Sequence, residues 1–264
     1  MIIDFHTHAF PDAIAATTIE KLLAEIDNLY PAVHDGTVSG LVGVMDEWGI
    51  DLSVVQPVIT RASQVNTINA WAQGICSDRL VSFGAIYPHS KDYKKEIDLV
   101  VDLGLKGLKF HVEYQDFQVD DEKMLPVYDY ALSRGLILLH HAGEDPGFNP
   151  PFKSSPRQLA RVVKAMQGGT IIAAHLGGHA QWNEVEEYLV GTDVYLDTSM
   201  GFDYYSTEQF LRIVKNHGAD KILFASDSPW SCADKEIERL RALPLSQEEK
   251  DAILGENAQR ILGI

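Results

Sequence analysis

The chain has 264 residues, of which 45% are hydrophobic, and its formal net charge is −16. This length and apolar fraction suffice for a substantial core and are close to the size of an eightfold β/α barrel. The negative charge excludes nucleic acid and membrane surfaces as favoured partners, because both carry negative charge themselves.

The chain shows no signal for export, membrane insertion or subdivision. No apolar run approaches the length of a membrane span, and Cys76 and Cys232 are too few for a disulfide framework, so we expect both to be packing residues. No low-complexity tract or long linker interrupts the sequence. We therefore expect one domain over 1–264, a cytoplasmic location and a small-molecule substrate, with a homo-oligomer left open.

The pattern of apolar residues predicts eight short strands, each followed by a helix. The strands are apolar along their length, as in a parallel sheet that is buried on both faces. The predicted strands cover 1–8, 52–58, 80–87, 107–112, 136–141, 170–175, 194–198 and 222–226. The predicted helices cover 12–27, 38–48, 65–75, 93–103, 121–133, 155–166, 179–190, 207–216, 234–242 and 246–255.

Eight strand–helix repeats predict an α/β fold, and within that class a (β/α)8 TIM barrel. A doubly wound sheet is the structural alternative. We disfavour it because no glycine-rich phosphate turn follows the first strand.

Polar residues with catalytic potential follow the predicted strands. In a β/α barrel, catalytic groups lie at the carboxyl ends of the strands, so residues at these positions should meet. Of the ten histidines, six occupy such positions, and a lysine and an aspartate join them. The set is His6, His8, Lys109, His111, His140, His141, His175 and Asp227.

Neutral imidazoles with a carboxylate and no thiolate are typical ligands of a catalytic metal. We expect zinc, with manganese or iron as alternatives, and one or two ions. Such an ion lowers the pKa of a bound water and makes it a nucleophile. Asp227 is the candidate to take the proton from that water and pass it to a leaving group.

Five motifs in this order resemble the amidohydrolase superfamily, and more narrowly its amidohydrolase-related branch of metal-dependent hydrolases and decarboxylases. The resemblance implies that His6, His8 and the histidine of strand five are metal ligands. It implies that Asp227 is a ligand and proton shuttle, and that His175 is a second-metal ligand or an acid/base group. The motifs are Asp4-Phe5-His6-Thr7-His8, Gly107-Leu108-Lys109-Phe110-His111, His141-Ala142-Gly143, Ala174-His175-Leu176-Gly177-Gly178 and Ser226-Asp227-Ser228-Pro229.

Two positions of this set carry open questions. Neighbours on a strand face opposite ways, so only one ring of His140-His141 can face the metal. The resemblance implies a His-small-Gly motif after strand five, which His141-Ala142-Gly143 matches, so we predict His141. Lys109 is a candidate catalytic residue. The resemblance permits a carbamylated lysine that bridges two ions, or a free lysine that meets the substrate. We favour the free lysine with one ion.

The sequence favours a hydrolase that uses a metal-activated water on an amide, lactone or ester carbonyl. The alternative is a non-oxidative decarboxylase of an aromatic or unsaturated acid, and a catalytically inactive binding barrel is a third hypothesis. Arg61 is a candidate anchor for an anionic substrate, and Glu144-Asp145 is expected to be solvated loop. The aromatic residues after strands five to eight are candidates for an apolar pocket: Phe148, Phe152, Trp182, Phe202, Tyr204, Tyr205 and Trp230.

Overall fold

The computed structural model describes residues 1–166 and 168–264, and its strands alternate with helices throughout. Each predicted strand is present, although all are shorter than predicted. The strands are β1 Ile3–Thr7, β2 Leu52–Val55, β3 Leu80–Ser82, β4 Gly107–Phe110, β5 Ile137–His140, β6 Ile171–Ala173, β7 Tyr195–Asp197 and β8 Ile222–Leu223.

The strands run parallel, in the order β1 to β3 and β4 to β8. Two parallel bridges join these two sets, Gly84 to Leu108 and Thr7 to Ser228. The main-chain N–H of Phe5 also donates to the carbonyl of Phe224 at 2.9 Å. The sheet is therefore closed, and the protein is a (β/α)8 barrel as predicted.

Helices follow the strands and cover the outside of the barrel. Several begin with a serine or threonine whose side chain accepts a main-chain N–H of the first turn, as Ser155 and Ser206 do. The helices are α1 Asp12–Glu25, α2 Val38–Trp48, α3 Val65–Gly74, α4 Tyr93–Asp102, α5 Val112–Gln115, α6 Leu125–Ser133, α7 Pro156–Ala165, α8 Trp182–Tyr188, α9 Thr207–His217, α10 Ala233–Ala242, α11 Gln247–Asp251 and α12 Asn257–Leu262.

The apolar residues form a large outer cluster between barrel and helices and a smaller inner cluster. The inner cluster includes Ile3, Leu139 and Leu223, together with Ala258 and Leu262 of α12. It fills the barrel near the amino ends of the strands. The polar residues at the carboxyl ends consequently have one open side.

The strands are shorter than predicted because the chain leaves the regular ladder near the carboxyl end of the barrel. His175, Leu176 and Asp227 have positive φ angles of 58°, 52° and 68°. Such angles are incompatible with a strand, and apolar patterning does not reveal them. Short helix α5 and terminal helix α12 were not predicted as separate elements. Cys76 was expected to be a packing residue but is exposed.

Candidate metal centre and active site

A cavity of about 570 Å³ opens at the carboxyl ends of the strands. Its polar wall contains every predicted metal ligand, and Lys109 joins them. Apolar side chains from α1, from α3 and from the loops after β1 and β2 line the rest, including Phe10, Ile14 and Trp71. The cavity therefore has the mixed lining of a small-molecule site.

His6 and His8 converge on one oxygen of Asp227. Nε2 of His8 lies 3.0 Å and Nε2 of His6 lies 3.3 Å from Oδ1 of Asp227. The donor atoms of the three residues all lie within 4.8 Å of one another. The main chain fixes this arrangement, because the N–H of Asp227 donates to the carbonyl of His6 at 2.8 Å. Two nitrogens and one oxygen thus face a common point.

The charge state of Asp227 follows from its surroundings. Burial by itself raises the pKa of this carboxyl. The imidazoles of His6 and His8 together outweigh that effect and hold the pKa below its usual range. Burial, and then the nearby Lys109, lower the pKa of His6. An ionised carboxylate beside a neutral imidazole matches the donor chemistry that divalent zinc, manganese or iron prefers. The residues therefore fit a divalent metal.

Asp4 does not face this point but supports Asp227 from behind. Its Oδ1 accepts the main-chain N–H of Ser226 at 2.9 Å, and its Oδ2 accepts the Ser226 hydroxyl. The Ser226 hydroxyl in turn accepts the N–H of Ser228 at 2.9 Å. Burial raises the pKa of Asp4 to about 7. This network fixes the turn that carries Asp227.

Asp197 at the end of β7 contacts two of the predicted histidines, and the sequence analysis missed it. Its Oδ2 lies 3.0 Å from Nδ1 of His6, and its Oδ1 accepts the main-chain N–H of His175 at 3.0 Å. Ser199 contacts Asp197 through its hydroxyl, which also lies 2.9 Å from Nδ1 of His175. A polar run at the carboxyl end of a strand, Asp197-Thr198-Ser199, was the available signal.

His141 faces the cavity, and His140 faces away from it. Nδ1 of His141 lies 3.1 Å from Nε2 of His175. The ring of His140 is stacked on Phe110 at 5.1 Å and contacts the edge of Tyr128 at 4.9 Å, outside the barrel. Strand alternation therefore distinguishes the two neighbours as expected. The role of His141 as a ligand stays a prediction.

Asp145 was expected to be solvated but is buried beside two imidazoles, which corrects that expectation. Its Oδ2 lies 3.3 Å from Nε2 of His111 and 3.9 Å from Nε2 of His141. The rings of His111 and His141 stack at 4.3 Å. The N–H of Gly147 donates to Oδ1 of Asp145 at 2.8 Å, so the loop turns this carboxylate inward. Composition alone does not predict such a turn.

Lys109 is 1% exposed, and its Nζ lies 2.8 Å from Nε2 of His6. Burial lowers the pKa of this lysine to about 8, although three aspartates oppose the shift. The amine thus lies directly against the predicted metal ligand. Its predicted role in catalysis stays a prediction.

The predicted substrate contacts are placed as follows. Arg61 is exposed and lines the cavity. Among the predicted loop aromatics, Trp230 also lines the cavity, whereas Trp182, Phe202 and Tyr205 pack near one another around Phe210. The apolar lining comes mainly from residues before strand five, whereas the sequence analysis expected it from the aromatic residues after strands five to eight.

The amidohydrolase family has a sequence model, described as Amidohydrolase, that matches residues 3–264. This chain belongs to the amidohydrolase family. It is accordingly an enzyme of that family, as the resemblance implied. No curated protein matches the chain.

Solved structures share this amidohydrolase fold over nearly the whole chain. An uncharacterised TIM-barrel protein from Bordetella bronchiseptica is 19% identical, with a TM-score of 0.79 over 99% of this chain and 98% of that one. A dihydroxybenzoic acid decarboxylase from Polaromonas, with bound manganese and the inhibitor 2-nitroresorcinol, is 16% identical with a TM-score of 0.71, over 99% and 96%. A probable 2-pyrone-4,6-dicarboxylic acid hydrolase from Acinetobacter baumannii, with citric acid bound, is 16% identical with a TM-score of 0.66, over 100% and 99%. At these identities the likeness establishes the fold alone.

The helices that the structure describes do not include one with the length and apolar character of a membrane span.

Proposed function

We propose that this protein is a metal-dependent hydrolase of a small carboxylated molecule. The observation that carries the proposal is the convergence of His6, His8 and Asp227 at a cavity wall, with His175 and Lys109 beside them. Two imidazoles and one carboxylate leave coordination positions open, which is the arrangement of a catalytic rather than a structural metal site.

We propose one divalent ion, held by His6, His8 and Asp227 with His141 as a further ligand. Charge supports a single ion. The buried carboxylates of Asp145, Asp197 and Asp227 face one buried ammonium, that of Lys109, which leaves about two negative charges uncompensated. A single divalent cation balances them. Zinc, manganese and iron all suit these donors, and the Polaromonas relative supports manganese among them.

When bound by these residues, a divalent ion would act as a Lewis acid toward a substrate carbonyl and would lower the pKa of water. The protein then provides the proton transfers. Asp227 is ionised at neutral pH, so it can accept a proton from the attacking water and return it to the leaving group. Burial lowers the pKa of His175 to about 4, so its ring is neutral and can donate a hydrogen bond to the developing oxyanion.

The substrate class follows from the rest of the cavity. Apolar and aromatic side chains suit a flat organic ring, and Arg61 offers a cation for a carboxylate at the mouth. The Polaromonas and Acinetobacter relatives are named for small ring acids, which supports this class. We therefore propose a lactone or related ester of a cyclic carboxylic acid.

Decarboxylation of an aromatic acid is the second candidate. The apolar wall favours it, because a carboxylate placed against apolar side chains loses hydration that the departing CO₂ does not need. Asp227 would then have to deliver a proton to carbon. The Polaromonas relative is named for that reaction.

A substrate panel separates the two reactions. Enzyme loaded with zinc or manganese is mixed with carboxylated lactones and with hydroxylated aromatic acids, while acid release and CO₂ release are followed in parallel. The proposal expects acid release without CO₂. Release of CO₂ in step with substrate loss would instead establish the decarboxylase. The cytoplasmic location, the single domain and a homo-oligomer stay predictions.

A further inference from the structure

Asp197 does not line the cavity, yet both of its oxygens contact residues of the site. Oδ1 accepts the main-chain N–H groups of His175 at 3.0 Å and of Ser199 at 3.1 Å. Oδ2 lies 3.0 Å from Nδ1 of His6. The carboxyl is fully buried within the barrel wall.

We propose that Asp197 is a positioning residue that fixes the tautomer of His6, so that Nε2 presents a lone pair to a divalent cation. This inference rests on the metal site of the proposed function and assigns a role to a residue outside that site. An ionised carboxylate only accepts hydrogen bonds, so Nδ1 of His6 must carry the proton. The other ring nitrogen is then an acceptor.

A contact on the opposite side of the ring agrees independently. Nζ of Lys109 lies 2.8 Å from Nε2 of His6. An ammonium has donors and no acceptor, so Nε2 must accept there. Oδ1 of Asp227 also approaches Nε2, but at the longer distance of 3.3 Å. The nearest neighbour on each edge of the imidazole thus specifies the same tautomer. Carboxylates that hold metal-ligating histidines in this way raise ligand basicity and metal affinity.

The same carboxylate also supports His175. That residue has a φ of 58°, a conformation that non-glycine residues rarely adopt. The N–H of His175 donates to Oδ1 of Asp197 and so holds the turn in which this strained residue lies. The metal ligand and the acid/base group therefore share one support.

The substitution Asp197→Asn tests the tautomer with almost no change in shape. The N–H groups of His175 and Ser199 require an acceptor, so the amide oxygen takes the place of Oδ1. The amide NH₂ group then faces Nδ1 of His6, which must become the acceptor. The proton moves to Nε2, and the lone pair that faces the cation site is lost.

The experiment uses the full chain, freed of metal, with manganese(II) alone as the probe. Nitrogen NMR of labelled histidines identifies the tautomer of His6, whose signals are assigned with His6→Gln. We expect Nδ1–H in the wild type and Nε2–H in Asp197→Asn. We also expect the manganese dissociation constant to rise about 10- to 100-fold. Glu236→Gln removes an equally buried carboxylate from α10 and should change the dissociation constant less than about threefold.

An Nε2–H tautomer in the wild type overturns the proposal, as does an Asp197→Asn variant that keeps wild-type affinity. If that variant does not fold, the wild-type tautomer decides alone. Turnover is not a readout here, so failure of the hydrolase proposal is distinguishable. A wild type that binds no manganese refutes the metal site, and with it the role of Asp197.

Discussion

The amine of Lys109 lies 2.8 Å from Nε2 of His6, on the edge of the ring that faces Asp227. A cation bound to this nitrogen has the ammonium as a close neighbour. The ammonium of Lys109 and a metal ion bound at Nε2 of His6 would repel each other. This repulsion would be strong because the site is buried.

Replacing Lys109 should therefore tighten metal binding. In Lys109→Met we expect the manganese dissociation constant to fall about tenfold or more at pH 7, because the repelling charge is removed. Isothermal titration of the metal-free protein measures it, with Lys106→Met as the exposed control just before β4. A lysine that is carbamylated and bridges two ions predicts the reverse, weaker binding and fewer ions per chain.

The lowered pKa of Lys109 also predicts that the free energy of unfolding of the metal-free protein changes at alkaline pH. Burial lowers the pKa of Lys109 to about 8 from 10.5. Between these two pH values the unfolded chain therefore binds a proton that the folded chain has lost. The free energy of unfolding of the metal-free wild type should consequently rise by up to about 3 kcal/mol as pH increases through this range. Denaturant titrations at several pH values measure this rise. It should be absent in Lys109→Met, and a rise that persists would contradict the assignment to this lysine.

Asp227→Asn should abolish turnover without unfolding the protein. Asp227 has a φ of 68°, which asparagine tolerates well, so the turn should survive. The amide cannot accept the proton of water, and we expect kcat to fall about 10²- to 10⁴-fold. Steady-state kinetics test this, with Asp193→Asn as an exposed control. Unchanged turnover with metal bound would remove Asp227 from its role as base.

Arg61→Ala should weaken the binding of carboxylated substrates. Arg61 is exposed where it lines the cavity and is not a predicted metal ligand, so we expect its loss to affect binding more than chemistry. We expect KM to rise about tenfold with little change in kcat, the result typical of uniform binding. The exposed Arg241 provides the matched alanine control on α10. An equal effect on an uncharged ester analogue would argue against a contact with the carboxylate.

His140 and His141 should respond differently to the same substitution. Burial lowers the pKa of His140 to about 3 from 6.5, so the folded chain resists a proton that the unfolded chain binds as pH falls. As pH falls from 6.5 to 5, the wild type should lose free energy of unfolding because its unfolded chain takes up this proton. His140→Phe lacks the titrating group, so its loss over the same range should be smaller by about 2 kcal/mol. Thermal and denaturant unfolding measure this difference.

Metal affinity provides the comparison between the two neighbours. His140→Phe should bind manganese like the wild type, whereas His141→Phe should bind it more weakly, since His141 lies on the cavity wall. Equal losses in both variants would refute the assignment of His141 as the ligand.

Much of the fold was readable from local pattern. Each strand is a short apolar run with buried residues throughout or nearly so, and helix α2 has the bounds that were predicted, ending at Gly49 in the left-handed conformation. The strand ends were less predictable. At β8 the regular ladder stops at Leu223, because the following residues bend toward the site and pair irregularly with β1.

The sequence alone determined the eight repeats and most of the polar residues that gather at the carboxyl ends of the strands, because apolar periodicity and chain order are local properties. Strand alternation, together with the His141-Ala142-Gly143 motif, even separated His141 from His140. Only the tertiary structure decided that Asp197 lies against His6, which is 191 residues away in sequence, and that Asp145 turns inward. Those contacts depend on barrel closure and on loop turns, and side-chain hydrogen bonds between distant segments leave no period in the sequence.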